Sequence, residues 1–283
     1  MTKLSQLLGF VGRTSPPARK LISVSWYRYV SWRYRNPELT FMNYGFADLD
    51  PSAPLPPLFP EDEPYRPYIQ LYEHLAGRIR LEDRDVLEVG CGRGGGASYV
   101  MRYLRPASLT AVDVVARSVA FCRARHPVCG LNFLQGDAEA MPLPDDAFDV
   151  VLNIESCHCY SSMARFLAEV SRVLRQGGLF LMADFWPAQE IATLRRRLAA
   201  AGFERVREQV ITPNVLRALD EDHGRKVALI RAHVFPLFRG LFARAAGLKG
   251  TEMYEAFRRG EFEYLSYIAR KPEVPAMRWA NPI

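Results

Sequence analysis

The sequence predicts an α/β protein built on a parallel sheet with helices on both faces. Three observations carry that expectation. Short apolar runs alternate with helical spacings between residues 68 and 212, the pattern of successive βαβ units. Five glycines, Gly90, Gly92, Gly94, Gly95 and Gly96, fall between the first apolar run and a helical spacing, where the backbone must turn sharply or approach a ligand. The chain has 283 residues, 49% of them hydrophobic and 24% charged, enough to bury a large core and without the composition of disorder.

The N-terminal segment, 1–67, stands apart in charge. Its first 37 residues hold seven basic residues (Lys3, Arg13, Arg19, Lys20, Arg28, Arg33 and Arg35) and no acidic one, whereas the rest is near neutral within a net charge of +6. The stretch "SVSWYRYVSWRYR" interleaves aromatics with arginines. Two readings suit it: a cap helix with solvated arginines, preferred here, or an arm that meets a membrane surface, a carrier or a nucleic acid. Residues 50–67 carry seven prolines and read as an extended linker. Only "LLGFVG" precedes Arg13 as an apolar stretch, too short for a secretion signal, and no run reaches the roughly 18 apolar residues that span a bilayer. A cytoplasmic protein is expected. Its five cysteines are odd in number and scattered, as in reduced thiols rather than a disulfide framework.

The core, 68–212, follows in order. "YIQLYEHLAGRIR" puts Ile69, Tyr72, Leu75 and Ile79 at helical spacing. "DVLEVG" reads as a buried strand and "GGASYVMRYL" as the helix after the glycine turn. "SLTAVDV", "LNFLQGD", "FDVVLNIES" and "GLFLMADF" read as further strands. "ARSVAFCRARH", "SMARFLAEVSRVL" and "QEIATLRRRLAAAG" read as the helices between and after them. "FERVREQVIT" and "FEYLSYIARK" are candidate last strands. The segment 213–260 between them is a helical insertion longer than an ordinary loop, leaving 261–283 as final strand and tail.

A strand, a glycine turn and a helix aim backbone N–H groups and a helix dipole at one point, a layout suited to nucleotide-like ligands. The segment "GCGRGG" satisfies the dinucleotide pattern with Gly90, Gly92 and Gly95, but such a match alone is weak. Glu88, two positions before the first glycine, discriminates. Its carboxylate sits at the strand end, beneath the loop, where it can accept a hydrogen bond from a cationic amino group. S-adenosylmethionine carries that group and no pyrophosphate. Asp113, at the end of the second strand and 25 positions after Glu88, is placed for two ribose hydroxyls.

With "EVGCGRG", "TAVDVV", "GDAEAMPLPDDAFDVV" and "RVLRQGGLFLMADF" in this order, the chain resembles the class I S-adenosylmethionine-dependent methyltransferases. The resemblance implies a Rossmann-like sheet, parallel with one antiparallel strand, and S-adenosyl-L-methionine as cofactor. It implies Glu88 on the methionine amino group and Gly90, Cys91, Gly92 and Gly94 against the cofactor. Asp113 and Val114 would lie at the ribose, Asp137 and Ala138 at the adenine, and Asn153 would complete the cofactor set.

Ligands of open α/β sheets bind beyond the carboxyl ends of the strands, so "NIESCHCY" and "ADFW" after the fourth and fifth strands should face the acceptor. His158 and Asp184, 26 positions apart, would meet at that rim. There a histidine can take a hydroxyl proton while a carboxylate fixes its tautomer. "FMNYGFADLD", "GRGGGASYVMRYLRPAS", "ESCHCYSSMARFLAEVSRVLR" and "GEFEYLSYIA" are similar to segments of the phthiotriol and phenolphthiotriol dimycocerosate methyltransferases and of related polyketide and sugar O-methyltransferases. In the sugar enzymes a histidine and an aspartate at these places form the catalytic pair, which the resemblance carries to His158 and Asp184.

The N-terminal segment and the insertion would cap an apolar pocket, with Tyr27, Tyr44, Trp186, Phe235, Phe238 and Phe242 available to line it. The expected function is O-methyl transfer to a hydroxyl of a hydrophobic small molecule, a polyketide or lipid. A cyclase-type protein that binds the cofactor without methylating is the alternative. An RNA methyltransferase is less favoured, because "NIES" offers no clamp for a flipped base, and no nucleic-acid partner is expected. No metal is expected either, since His74, His126, His223 and His233 are scattered.

Overall fold

The computed structural model describes residues 15–33 and 39–273; Lys3, Arg13 and Arg35 of the basic arm and the end of the tail lie outside them. A helix, α1 (Pro16–Arg33), is followed by an irregular stretch and α2 (Arg66–Ala76). The core then runs β1 (Asp85–Val89), α3 (Gly95–Tyr99), β2 (Ser108–Asp113), α4 (Ala116–Arg125), β3 (Leu131–Gln135) and β4 (Phe148–Ile154). It continues through α5 (Met163–Val173), β5 (Leu174–Pro187), α6 (Ile191–Ala200) and β6 (Glu204–Val210). The insertion forms α7 (Thr212–Glu221), α8 (His223–His233), α9 (Arg239–Ala245) and α10 (Glu252–Arg258) before β7 (Phe262–Arg270). Among the described residues no helix is long and apolar enough to cross a membrane.

The seven strands form one sheet in the order β3-β2-β1-β4-β5-β7-β6. All neighbours are parallel except β7, which runs antiparallel to β5 and β6. The chain steps outward from β1 to β3 and then returns to β4, so the crevice for a ligand opens above the carboxyl ends of β1, β2 and β4. The central strands read as near-continuous apolar runs because both faces are covered: Val86, Leu87 and Val89 of β1 and Val150, Val151 and Leu152 of β4 are all buried. One face packs on α2, α3, α7 and α10, and the other on α5 and α6.

The glycine run divides in two. Gly90, Gly92 and Gly94 have φ of 80°, 55° and 77°, the left-handed region open to glycine. Gly95 and Gly96 are helical and clear space for tertiary neighbours. A Cβ on Gly96 would stand 1.8 Å from the Tyr72 ring, and one on Gly95 2.9 Å from the Phe41 ring. Gly96→Ala is therefore expected to cost at least about 1–3 kcal/mol, read by urea unfolding. Gly224→Ala, with nothing within 4 Å of the added carbon, should be neutral or slightly stabilising, and equal midpoints for both variants would refute the steric account.

Candidate active site

The turn after β1 is held by its own backbone. The Gly90 and Cys91 N–H groups donate to the Val112 carbonyl at 2.8 and 3.1 Å, Gly94 N–H to Cys91 at 2.9 Å, and Gly95 N–H to Thr40 at 3.2 Å. The Gly92 N–H donates to Asp113 Oδ2 at 2.9 Å. Five amides that a pyrophosphate would need are thus already engaged. The loop offers a close apolar approach rather than an anion cradle, which argues against a dinucleotide.

Beneath the loop, Glu88 is buried. Its Oε1 accepts the Tyr72 hydroxyl at 2.7 Å, while Oε2 is enclosed without a partner. Burial pushes this carboxyl up to about 7, against the lowering effect of Tyr72. An orphaned carboxylate oxygen of this kind calls for a cationic donor, and the ammonium of a methionine moiety fits it. Asp113 sits at the next strand end, its Oδ1 accepting the Val115 N–H at 2.8 Å. Burial raises it to about 6. Each of its oxygens keeps a lone pair for a hydroxyl donor.

A cavity opens here, lined by Gly90, Cys91, Gly92, Asp113, Val114 and, across from them, Asp137 and Ala138. These seven of the sequence-selected cofactor residues come together around one space, with Glu88 buried under its floor. Two others do not join them. Gly94 turns away, towards Cys122, His126 and Phe133. Asn153 is fully buried and donates from Nδ2 to Val89 O, Ser156 Oγ and Tyr160 Oη at 3.0, 2.7 and 3.1 Å. Through Nδ2 it ties the end of β4 to that of β1, while its Oδ1 is buried without a partner.

Helix α1 lies over this cavity, contributing Lys20, Ser23, Val24 and Tyr27 to its wall. Lys20 Nζ holds Asp137 at 2.7 Å and also binds Glu139, Arg19 Nη2 donates to the Tyr160 carbonyl at 2.8 Å, and the Ser31 and Ser118 hydroxyls meet at 2.8 Å. Burial raises Asp137, but Lys20 and the Glu139 amide outweigh it and hold the carboxyl below its usual range. Charges of the arm thus serve as latches that no local pattern announces, because their partners lie more than a hundred residues away.

At the rim of β4 and β5, His158 Nδ1 and Asp184 Oδ1 are 2.8 Å apart. Asp184 is fully buried, and its oxygens also accept the His158 amide at 3.1 Å, the Cys157 thiol at 3.0 Å and the Phe185 amide at 2.8 Å. Burial lowers the His158 pKa, yet Asp184 with Cys159 outweighs this and lifts it well above the usual range. The imidazole leans on the Phe185 ring at 4.5 Å and keeps 24% of its side chain accessible. Neither partner is in the cavity wall; Cys159, hydrogen-bonded to His158, and Glu155 are. Alternation along β5 puts Leu181, Ala183 and Phe185 in one core and Met182 and Trp186 in the opposite one, and Asp184 shares the face of the latter.

Glu155 is the site residue that sequence reasoning missed. Its φ of 45° is rare for a side chain with a Cβ. Oε1 accepts the Tyr44 amide at 2.6 Å and the Tyr264 hydroxyl at 2.8 Å. Burial pushes it up to about 7. The signal that selected Glu88, an acid at the carboxyl end of a central strand, applies to it equally.

A second cavity shares Tyr27, Phe41, Met42 and Asn43 with the first and extends to α8 and α9. Tyr27, Tyr44 and Phe242 of the expected aromatic set line it. Trp186 does not, being on the far side of β5. Phe235 and Phe238 do not line it either: Phe235 is 62% exposed, and the Phe238 ring lies 6.2 Å from that of Tyr29 on α1. Among the described residues no group of three His, Cys, Asp or Glu could hold a metal ion.

Residues 87–182 match a family model described as a methyltransferase domain. Over 270 residues the chain is 38% identical to the phthiotriol/phenolphthiotriol dimycocerosates methyltransferase of Mycobacterium tuberculosis, covering 95% of this chain and 98% of that protein. It is also 38% identical over 260 residues to a fatty-acid O-methyltransferase of Mycolicibacterium smegmatis, covering 92% of each. Geranyl diphosphate C-methyltransferase from Streptomyces coelicolor A3(2), solved with Mg2+, geranyl diphosphate and S-adenosyl-L-homocysteine, has the same fold: TM-score 0.61, 18% identity, 87% of this chain and 98% of that one.

Proposed function

The chain belongs to the S-adenosylmethionine-dependent methyltransferases, and from that premise we propose that it transfers the methyl group to an oxygen of a lipid acceptor. The observation that carries this reading is the His158–Asp184 pair, fixed at the sheet rim behind Cys159. The lipid names of the two relatives support the acceptor class. So does the aromatic second cavity adjoining the cofactor space.

When bound, S-adenosylmethionine supplies a methyl group activated by a sulfonium. The protein's own residues do the rest. Glu88 Oε2 holds the ammonium, Asp113 the ribose hydroxyls, and Asp137 with Ala138 the adenine side. Helix α1, latched through Lys20, excludes water and orients the acceptor against the methyl group. The acceptor hydroxyl passes its proton through Cys159, which lines the cavity and is hydrogen-bonded to His158, to the imidazole, whose cationic form Asp184 stabilises. Glu155, whose Oε1 takes the Tyr44 amide and the Tyr264 hydroxyl, presents Oε2 to the acceptor. Leu21 and Trp32, both exposed on α1, would let that helix rest on a membrane surface from which a lipid enters.

The test is single-turnover incubation with methyl-labelled S-adenosylmethionine and hydroxylated long-chain acceptors, with products assigned by mass spectrometry and NMR. One label per product on oxygen is expected. A labelled C–CH3 group would refute the oxygen assignment, and an acceptor converted without label would favour the cyclase reading.

A further inference from the structure

The second cavity is lined mostly by apolar and aromatic side chains, its other polar wall being Asn43 and, from α8, Arg225, Lys226 and His233. Lys226 is 7% exposed, and an ammonium withdrawn from water is costly unless firmly paired. Its contacts are long: 3.4 Å to the Ala246 carbonyl, 3.8 Å to Asp222 Oδ2, and 5.9 and 5.4 Å to the ring centres of Tyr44 and Tyr68. Asp222 is engaged more closely by others. It accepts the Tyr68 hydroxyl at 2.5 Å, Arg225 Nε at 2.6 Å and Arg225 Nη2 at 3.1 Å. Two cations therefore share one carboxylate, and Arg225 holds the better part of it. Glu155 is near enough to act on Lys226 through its charge, but its Oε1 accepts from Tyr44 and Tyr264. Burial brings Lys226 down to about 8, so it remains charged at neutral pH.

We infer that the acceptor is a long-chain amphiphile with a carboxylate, which pairs with Lys226 while its chain lies among Trp26, Leu229 and Phe242. A carboxylate suits the place better than a phosphate. One surplus positive charge needs one negative charge, and a phosphate dianion would require more donors than one ammonium provides. The inference rests on the second cavity being the acceptor site.

The experiment is fluorescence titration of the S-adenosyl-L-homocysteine-loaded protein with cis-parinaric acid and with cis-parinaryl alcohol. The acid is expected to bind about 10–100-fold more tightly than the alcohol, the range of a charge-assisted hydrogen bond. Lys226→Met should bring the acid down to the level of the alcohol and leave the alcohol unchanged. Lys226→Arg should keep the preference, and S-adenosyl-L-homocysteine affinity checks that each variant has folded. Equal binding of acid and alcohol by the wild-type protein would overturn the inference by itself, without any variant. A preference that persists in Lys226→Met would overturn it too. If neither probe binds the loaded protein, the acceptor reading of the cavity falls with it, whereas equal binding of both spares that reading.

Discussion

Replacing His158 by alanine is expected to lower kcat by about 10²–10⁴-fold, the usual worth of a positioned general base, while S-adenosylmethionine affinity stays near that of the wild type. The imidazole is outside the cofactor cavity wall, so only the chemical step should respond. The sign of the pH dependence follows from Asp184. Its charge outweighs burial and raises the imidazole pKa above the ordinary 6.5. A base must be unprotonated, so kcat/KM should climb with pH on the alkaline side of 6.5. Asp184→Asn removes the carboxylate, and the rising limb should move to lower pH while the maximal rate falls. Stability runs the other way: the raised pKa adds stability that is fully present below 6.5 and is lost as pH rises through the folded value. Glu155 titrates at about 7 and could produce a similar limb. A limb abolished in Glu155→Gln but retained at full rate in His158→Ala would transfer the role of base to Glu155.

The order of elements was legible because parallel strands covered on both faces read as apolar runs between helical spacings. The positions of Glu88 and Asp113 were legible for a related reason: the carboxyl end of each strand can be read directly from where its run stops. What the sequence hid depended on contacts between distant segments. Nothing near Gly96 announces that Tyr72 will pass within 1.8 Å of its missing Cβ, nor does anything near Asp137 announce Lys20. Trp186 was misplaced for a different reason. Its neighbour Phe185 packs among Tyr44, Phe257 and Tyr264 in one core, and the two-residue period of a strand sends Trp186 to the opposite one. The same period explains why Asp184 meets His158 from behind the wall. Asn153 shows the remaining difficulty: a polar residue at a strand end can hold two strands together, as its Nδ2 does, and still keep an unpartnered oxygen, its Oδ1, for a ligand.

Glu88→Gln is expected to weaken S-adenosylmethionine binding by about 10–100-fold, the loss of a charged hydrogen bond. The same change should flatten the pH dependence of stability. Burial raises the wild-type carboxyl from 4.5 to about 7, so the folded state holds its proton more tightly than the unfolded state. That contribution is fully present below 4.5 and is lost as pH rises through 7, a difference of about 3 kcal/mol at about 1.4 kcal/mol per unit. The protein without cofactor therefore carries a penalty at neutral pH, because the folded chain must there either keep Glu88 protonated or ionise it with Oε2 unpaired. The bound ammonium relieves it, so wild-type affinity should tighten up to about tenfold per pH unit as pH approaches 7 from below. Over that range calorimetry in buffers of different ionisation enthalpy should show one proton released on binding. Glu88→Gln should release none from this site and lose the slope. Urea unfolding of both proteins between pH 4.5 and 8 separates the two effects. A variant that binds weakly but retains the wild-type pH slope of stability would mean that the orphaned oxygen is not Glu88's contribution to the cofactor site.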